Sequence, residues 1–288
     1  MKKTEIIIFS KNRTLQLKSL LLSMKEYFDL DEEKVSILYV ADPGIDYGPL
    51  MKQFKCNFVK ETDFLKDVKN IVNNSSSEYI SFMVDDSIFR DYFSWEKVED
   101  LLDSRSDIDT FTFRVGNHIE CGKLPEFEEI GDDMLAWDTS EDLGRYWNYF
   151  WELCSSVYRK DLVLKYLSKC RAKKETFPNP FEFHYYSCMP STNISGLVKL
   201  VNNIRFAFKK KSNKLACFRN SKSMTQGVNL VAELKVDRQE FYSTEELHKK
   251  MLEGYVADYK RLQFADLKVP QPGPKYFKLV KESEMING

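Results

Sequence analysis

Glu78-Tyr79-Ile80-Ser81-Phe82-Met83-Val84-Asp85-Asp86-Ser87 runs an apolar strand straight into two adjacent carboxylates. A short apolar run of this length, bounded by polar residues, reads as a buried strand. If the strand belongs to an open α/β sheet, its carboxyl end faces the crevice where ligands bind. Two acids there make a seat for a divalent cation carrying a diphosphate, because a hard cation takes oxygen ligands and usually keeps one or two protein carboxylates plus substrate phosphates. The pair thus points to nucleotide chemistry. Taken alone it has a plainer explanation, since adjacent acids at a strand end are usually a solvated turn or the cap of the next helix.

Upstream of the pair, strand and helix signals alternate at short intervals. Ile6 to Phe9 reads as a buried strand, and Leu17, Leu20, Leu21, Met24 and Phe28 follow at helical spacing. Val35 to Val40 is a second strand, ending at Asp42-Pro43-Gly44, where proline fixes φ and glycine tolerates the left-handed region of a turn. Phe58-Val59 is a short third strand. Asp63 has the character of an N-cap, with Phe64, Leu65, Val68, Ile71 and Val72 as the buried stripe of a helix that runs out in Asn73-Asn74-Ser75-Ser76-Ser77. Strands alternating with helices of this length predict a mostly parallel sheet with right-handed crossovers.

Beyond about Ser94 the pattern is less regular: a helix near Trp95 to Leu102, a strand Thr110 to Arg114, then a long aromatic stretch. Trp137, Tyr146, Trp147, Tyr149, Phe150 and Trp151 could offer flat platforms to a sugar face, but most are expected in the core, because aromatics dominate burial energetics. Thr244 to Arg261 reads as an amphipathic helix opened by a Ser243 or Thr244 cap, and Val269-Pro270-Gln271-Pro272-Gly273-Pro274 cannot continue it. No internal repeat is visible.

The chain has 288 residues, 43% of them apolar, enough for one large domain or two fused halves. With 43 basic against 44 acidic residues, nothing in the bulk charge draws it to nucleic acid or to an anionic membrane. Six scattered cysteines without a C-x-x-C pair, and only three histidines, predict reduced core thiols rather than a zinc site. The apolar run after Met1-Lys2-Lys3 breaks at Ser10-Lys11-Asn12-Arg13, too soon for a signal peptide, and no segment approaches the length of a membrane span. A cytoplasmic protein, at most peripheral at the inner face of a membrane, is the expectation.

The first strand-to-helix loop, Ser10 to Arg13, holds no glycine, and the first glycine of the chain is Gly44. That argues against G-x-G-x-x-G dinucleotide folds, P-loop NTPases and sugar-phosphate nucleotidyltransferases, all of which set a glycine-rich loop here. With Ser10 to Arg13, Asp42 and Val84-Asp85-Asp86 at three successive strand ends, the sequence resembles the GT-A-fold glycosyltransferases, especially bacterial ones of surface-glycan synthesis. The resemblance implies an α/β, GT-A-like fold: a mostly parallel central sheet flanked by helices, a less regular acceptor-side half and a C-terminal helix. It divides the chain into a nucleotide-sugar-binding half (1–118), an acceptor-side half of the same domain (119–235) and a C-terminal helix and tail (236–288). Phe111 to Asn117, Tyr146-Trp147 and Ser155 to Arg159 look like segments that such enzymes place around donor sugar and acceptor.

The same resemblance implies a nucleotide-sugar donor, most simply a UDP-sugar, a glycan or lipid-linked saccharide as acceptor, and Mn²⁺ or Mg²⁺ as cofactor. Ser10, Lys11, Asn12, Arg13, Asp42, Lys66 and Asp85 fall on the nucleotide side and Asp86 on the metal, with Asp85 and His184 as further metal ligands. The pair departs from the strict D-x-D spelling of the family. Lys66 reads equally well as a surface lysine, and His184 as a packed or exposed side chain.

Inverting transfer needs a carboxylate to take the acceptor's proton. Glu182, in Phe177-Pro178-Asn179-Pro180-Phe181-Glu182-Phe183-His184, is the leading candidate, with Asp138 and the Asp132-Asp133 pair as competitors; a retaining enzyme would need no such base. Arg205 to Lys214 concentrates basic residues beside aromatics and could meet anionic headgroups or a lipid diphosphate, with an ordinary surface loop as the alternative. A nucleotidyltransferase of sugar phosphates, or a glycan-binding protein that kept the fold and lost turnover, are the competing functions.

Overall fold

The computed structural model describes residues 1–131, 133–139, 143–144, 146–171, 179–189, 214–229 and 242–286. Asp132, Phe177-Pro178 and the basic segment from Arg205 up to residue 213 lie outside the described residues. Lys214 lies within them and is paired with Asp107 and Glu128 at 3.1 and 3.0 Å.

A nine-stranded sheet organises the chain. Its strands in sequence are β1 (Thr4–Lys11), β2 (Val35–Val40), β3 (Asn57–Lys60), β4 (Tyr79–Val84), β6 (Ile108–Thr112), β7 (Glu128–Glu129), β8 (Met134–Asp138), β9 (Ser156–Arg159) and β10 (Lys214–Phe218), in the spatial order β3-β2-β1-β4-β9-β6-β10-β8-β7. β3, β2, β1 and β4 are all parallel, as are β6 and β10, while β9 and β8 run against their neighbours. The α/β fold with a mostly parallel central sheet flanked by helices is therefore the one expected from the alternating pattern. β5 (Ser87–Phe89) pairs with β11 (Ser223–Thr225) in a separate two-stranded ribbon just beyond the acid pair.

Side-chain alternation along the strands divides the core into two layers. Ile6 and Ile8 of β1 face one cluster with α1 (Thr14–Tyr27) and α4 (Trp95–Ser104), while Ile7 and Phe9 face another with α3 (Phe64–Asn74), α5 (Lys160–Lys169) and α6 (Asn179–Cys188). The α1 positions picked out by helical spacing, Leu17, Leu20, Leu21 and Met24, are all fully buried, with Phe28 just past its end. Asp63 caps α3 by accepting the Lys66 amide, and Ser243 caps α7 (Thr244–Leu252) by accepting the Glu246 amide. A short helix, α2 (Gly48–Gln53), links β2 to β3.

Two expectations change. The helix expected over Thr244 to Arg261 ends at Leu252, because Gly254 takes the left-handed conformation (φ 83°) and Tyr255–Ala257 (β12) then pairs with Leu279–Lys281 (β13). A last short helix, α8 (Glu282–Ile286), follows β13. The strand expected at Thr110 to Arg114 sits two residues earlier, leaving Phe113 and Arg114 beyond its end. Around Glu182 the chain is helical, with Pro180 in the first turn of α6, where a missing N–H costs nothing. No helix among the described residues is long and apolar enough to cross a membrane.

The aromatic stretch is mostly core. Trp137, Trp147, Phe150 and Trp151 are buried, and Tyr146 and Tyr149 are partly exposed. Phe181 of α6 packs on Phe64, Phe82, Trp151 and Phe9, with ring centroids 5.5, 5.8, 5.9 and 6.5 Å apart. This fully buried ring seats α6 against β1 and β4, next to where both strands end. Phe181→Ala should destabilise the fold by about 3–5 kcal/mol in denaturant unfolding, the usual cost of deleting a buried aromatic ring.

Candidate functional site

Parallel pairing in register brings three strand ends side by side, β1 and β2 ending level and β4 two residues short of them. Lys11 pairs with Val40 across β1 and β2, and Phe9 with Val84 across β1 and β4, so the loops that begin at Asn12, Ala41 and Asp85 open on one side of the sheet. This is the carboxyl-end crevice of an open α/β sheet. Asp85 and Asp86 form the tight turn between β4 and β5. The turn is not solvated in the usual way, for Asp85 is only 3% exposed.

Arg13 accounts for that burial. Its Nη1 donates to Asp85 Oδ1 at 3.1 Å and to Asp86 Oδ2 at 3.0 Å. Its Nε donates to Asn229 Oδ1 at 2.9 Å, and its Nη2 donates to the Asn229 carbonyl. Gln16, one turn along α1, donates to the same Asn229 oxygen at 3.1 Å. The Lys11 amide completes Asp85 by donating to Oδ2 at 3.1 Å. Burial pushes the Asp85 carboxyl up to about 6; Arg13 opposes the shift, and the like charge of Asp86 adds to it.

One strand over, Asn12 stands in the left-handed region (φ 59°), a conformation asparagine tolerates better than most residues. It exchanges hydrogen bonds with Asp42: Asn12 Nδ2 donates to Asp42 Oδ2 at 2.6 Å, and the Asp42 amide donates to Asn12 Oδ1 at 2.8 Å. The turn Asp42-Pro43-Gly44-Ile45 closes through the Ile45 amide on the Asp42 carbonyl, with Gly44 at φ 96°, and leaves Asp42 exposed at the crevice edge. The Ser10 hydroxyl is buried and bonded to Tyr47 at 2.8 Å, so it supports the loop from beneath. Lys66 is exposed on the first turn of α3.

A second polar cluster lies at the end of β6. Arg114 is paired with Glu152, both nearly fully buried, and Glu152 also accepts from Thr112 Oγ1 at 3.0 Å and from Ser156 Oγ at 2.5 Å. Tyr149 donates its hydroxyl to Glu182, and its ring stacks on Tyr186 at 5.8 Å. Burial pushes the Cys154 thiol up; Arg114 opposes this, while Glu182, Glu152 and Asp86 push the same way. Asp86 and Glu182 thus both bear electrostatically on the Cys154 side chain.

Other expected positions fall elsewhere. Asp138 pairs with Lys214 at the start of β10, whereas the crevice end of that strand is Phe218, four residues and roughly 13 Å away at the rise of a strand. Its place in the ladder separates it from the acid pair. Asp133 stands 3.9 Å from Lys222 and is about half exposed. His184, on α6, accepts the Arg171 amide at 3.2 Å. Among the described residues no three His, Cys, Asp or Glu side chains gather to hold a metal, so Asp85, Asp86 and His184 do not form a three-ligand cage.

The oxygens that remain decide what the acid pair can hold. Both oxygens of Asp85 accept hydrogen bonds, and one oxygen of Asp86 takes Arg13; Asp86 Oδ1 accepts no hydrogen bond among the described residues. This donor set fits a hard cation held by one carboxylate and completed by water and a ligand's phosphates. Arg114 falls in the Phe111 to Asn117 segment singled out in the sequence, whereas Asn229, Gln16, Tyr47 and Glu152 were invisible there as site residues. None carries a motif, and Asn229 lies 216 positions from the arginine it holds.

No protein-family model matches the chain. Over 210 residues, 62% of the chain, it is 27% identical to the bifunctional glycosyltransferase pgtA of Dictyostelium discoideum, of whose length it spans 27%. Among solved structures, TarS of S. aureus aligns over 91% of this chain and 44% of its own, at 12% identity and a TM-score of 0.43. The mannosyltransferase PcManGT of Pyrobaculum calidifontis, in complex with GDP-Man and Mn²⁺, aligns over 57% and 46%, at 10% identity and a TM-score of 0.35. In sequence, this chain is similar to a sugar-transferring enzyme.

Proposed function

We propose that this chain is a glycosyltransferase that moves a sugar from a nucleoside diphosphate sugar, a UDP-sugar in the simplest case, to a glycan or lipid-linked acceptor with inversion. The observation that carries the proposal is the meeting of Asp85-Asp86 with the Asn12–Asp42 pair at adjacent strand ends, with the likeness to a glycosyltransferase behind it. Asp42, exposed at the end of β2, is placed to accept hydroxyl or amide hydrogens of a nucleoside. Asp86 is the residue to hold Mn²⁺ or Mg²⁺ through its uncommitted oxygen. When bound, such a cation offsets the negative charge that grows on the departing diphosphate.

Glu182 takes the acceptor hydroxyl's proton as the new glycosidic bond forms. It is 7% exposed, and the Tyr149 hydroxyl fixes one lone-pair direction of its carboxylate. Tyr146 and Tyr149, the partly exposed rings of an otherwise buried stretch, flank the same region and suit the apolar face of a sugar.

Isothermal titration of UDP with and without Mn²⁺ tests the donor side. UDP should bind only in the presence of metal, and Asp86→Asn should lose that dependence. Metal-independent binding, or an Asp86→Asn variant that binds as well as wild type, would sink the proposal.

Once a nucleotide-sugar screen has identified a donor, Glu182→Gln should lower kcat by roughly 10²–10⁴-fold, the usual worth of a general base, while UDP affinity stays within about twofold. A normal kcat would remove Glu182 from the chemistry.

The Asp85 carboxyl also sets a pH dependence. As pH falls through about 6 it takes up a proton and one negative charge leaves the seat. Metal-dependent UDP affinity should therefore weaken from pH 7 toward pH 5, and Asp85→Asn should flatten that profile.

A further inference from the structure

The acid pair carries a permanent cation of its own. Among the described residues Arg13 makes four donor contacts, to Asp85, to Asp86 and twice to Asn229, and so commits four of the five N–H groups that a guanidinium owns. It is 8% exposed and held from behind by Asn229, which Gln16 fixes in turn. An arginine with four of its five N–H groups committed is held in place rather than free to reach a diphosphate in the crevice. Its charge nevertheless stays within hydrogen-bond range of both carboxylates.

We propose that Arg13 is a fixed counter-ion that keeps the acid pair from retaining a divalent cation by itself and reserves the seat for a cation arriving with a nucleoside diphosphate. The proposal rests on the glycosyltransferase function above and adds a positioning residue to it. The electrostatics run in opposite directions for the two ligands. With both aspartates ionised, the pair and Arg13 sum to a single negative charge, whereas the pair alone would carry two. Arg13 therefore weakens attraction for a free cation. Once a divalent cation is seated, the same sum is one positive charge with Arg13 and zero without it, so Arg13 strengthens attraction for the diphosphate. In a buried site these contributions are poorly screened.

The test is electron paramagnetic resonance of Mn²⁺ with the full chain, read as free against bound metal, without UDP and with saturating UDP. Wild type should hold Mn²⁺ about tenfold or more weakly without UDP than with it; equal retention in the two states overturns the proposal. Arg13→Gln should tighten Mn²⁺ alone by about tenfold or more and weaken UDP on the Mn²⁺-loaded chain by a similar factor, with Arg13→Lys returning both toward wild type. A structural role alone would lower both affinities together, and that result, or an unchanged affinity for Mn²⁺ alone in a folded Arg13→Gln chain, also overturns it. Should Arg13→Gln fail to fold, Asn229→Ala loosens the same guanidinium without removing its charge and should tighten Mn²⁺ alone by a few fold; no change refutes the counter-ion role. If wild type holds no Mn²⁺ even with UDP, the metal-dependent donor site itself falls, and the inference with it, whereas retention with UDP and no response to either variant defeats the inference alone.

Discussion

The buried guanidinium of Arg13 is the interaction on which the crevice depends. A carboxylate removed from water is costly unless it is paired and hydrogen-bonded, and Asp85, at 3% exposure, has Arg13 and the Lys11 amide for that purpose. Arg13 in turn is buried only because Asn229 satisfies the donors that face away from the acids. The loop after β1, the turn after β4 and the segment after β11 are therefore held by one set of charges, none of which could be buried without the others. The Gln226 amide on the Asp86 carbonyl, at 2.7 Å, ties the last of these segments to the turn again.

What makes the cluster possible is the ending of β2, β1 and β4 side by side at one edge of the sheet. Parallel pairing in register sets the three loops side by side, and side-chain alternation keeps Phe9 and Phe82 on the face that receives α6. Phe181 packs into that face, and Glu182 follows it on the same helix. The aromatic core thus fixes the helix that carries Glu182 through the apolar neighbour one residue before it.

Much of the nucleotide-side architecture was legible because its signals are local. Val35 to Val40 begins and ends where the apolar run does, Asp63 caps the helix it precedes, and Asp42-Pro43-Gly44 makes the turn that its residue types demand. Amphipathic spacing over Thr244 to Arg261 continues past Leu252, but the left-handed Gly254 and the pairing of Tyr255–Ala257 with Leu279–Lys281 end the helix there. α5 shows no comparable local signal, and the prolines and aromatics around Glu182 do not by themselves announce the helix α6 that carries it.

By itself the sequence determined the alternation of strands and helices, the absence of a glycine-lined phosphate loop and the position of two carboxylates at a strand end, because periodicity, turn chemistry and capping act over a few residues. Only the tertiary structure decided that Asp85 is buried, that Arg13 is paired with both acids, that Asp138 stands at the far end of its strand from the acid pair and that Asp86 and Glu182 both act on Cys154. Burial and charge pairing are set by neighbours that arrive from distant parts of the chain, Asn229 above all, and no local spacing encodes which of them will meet.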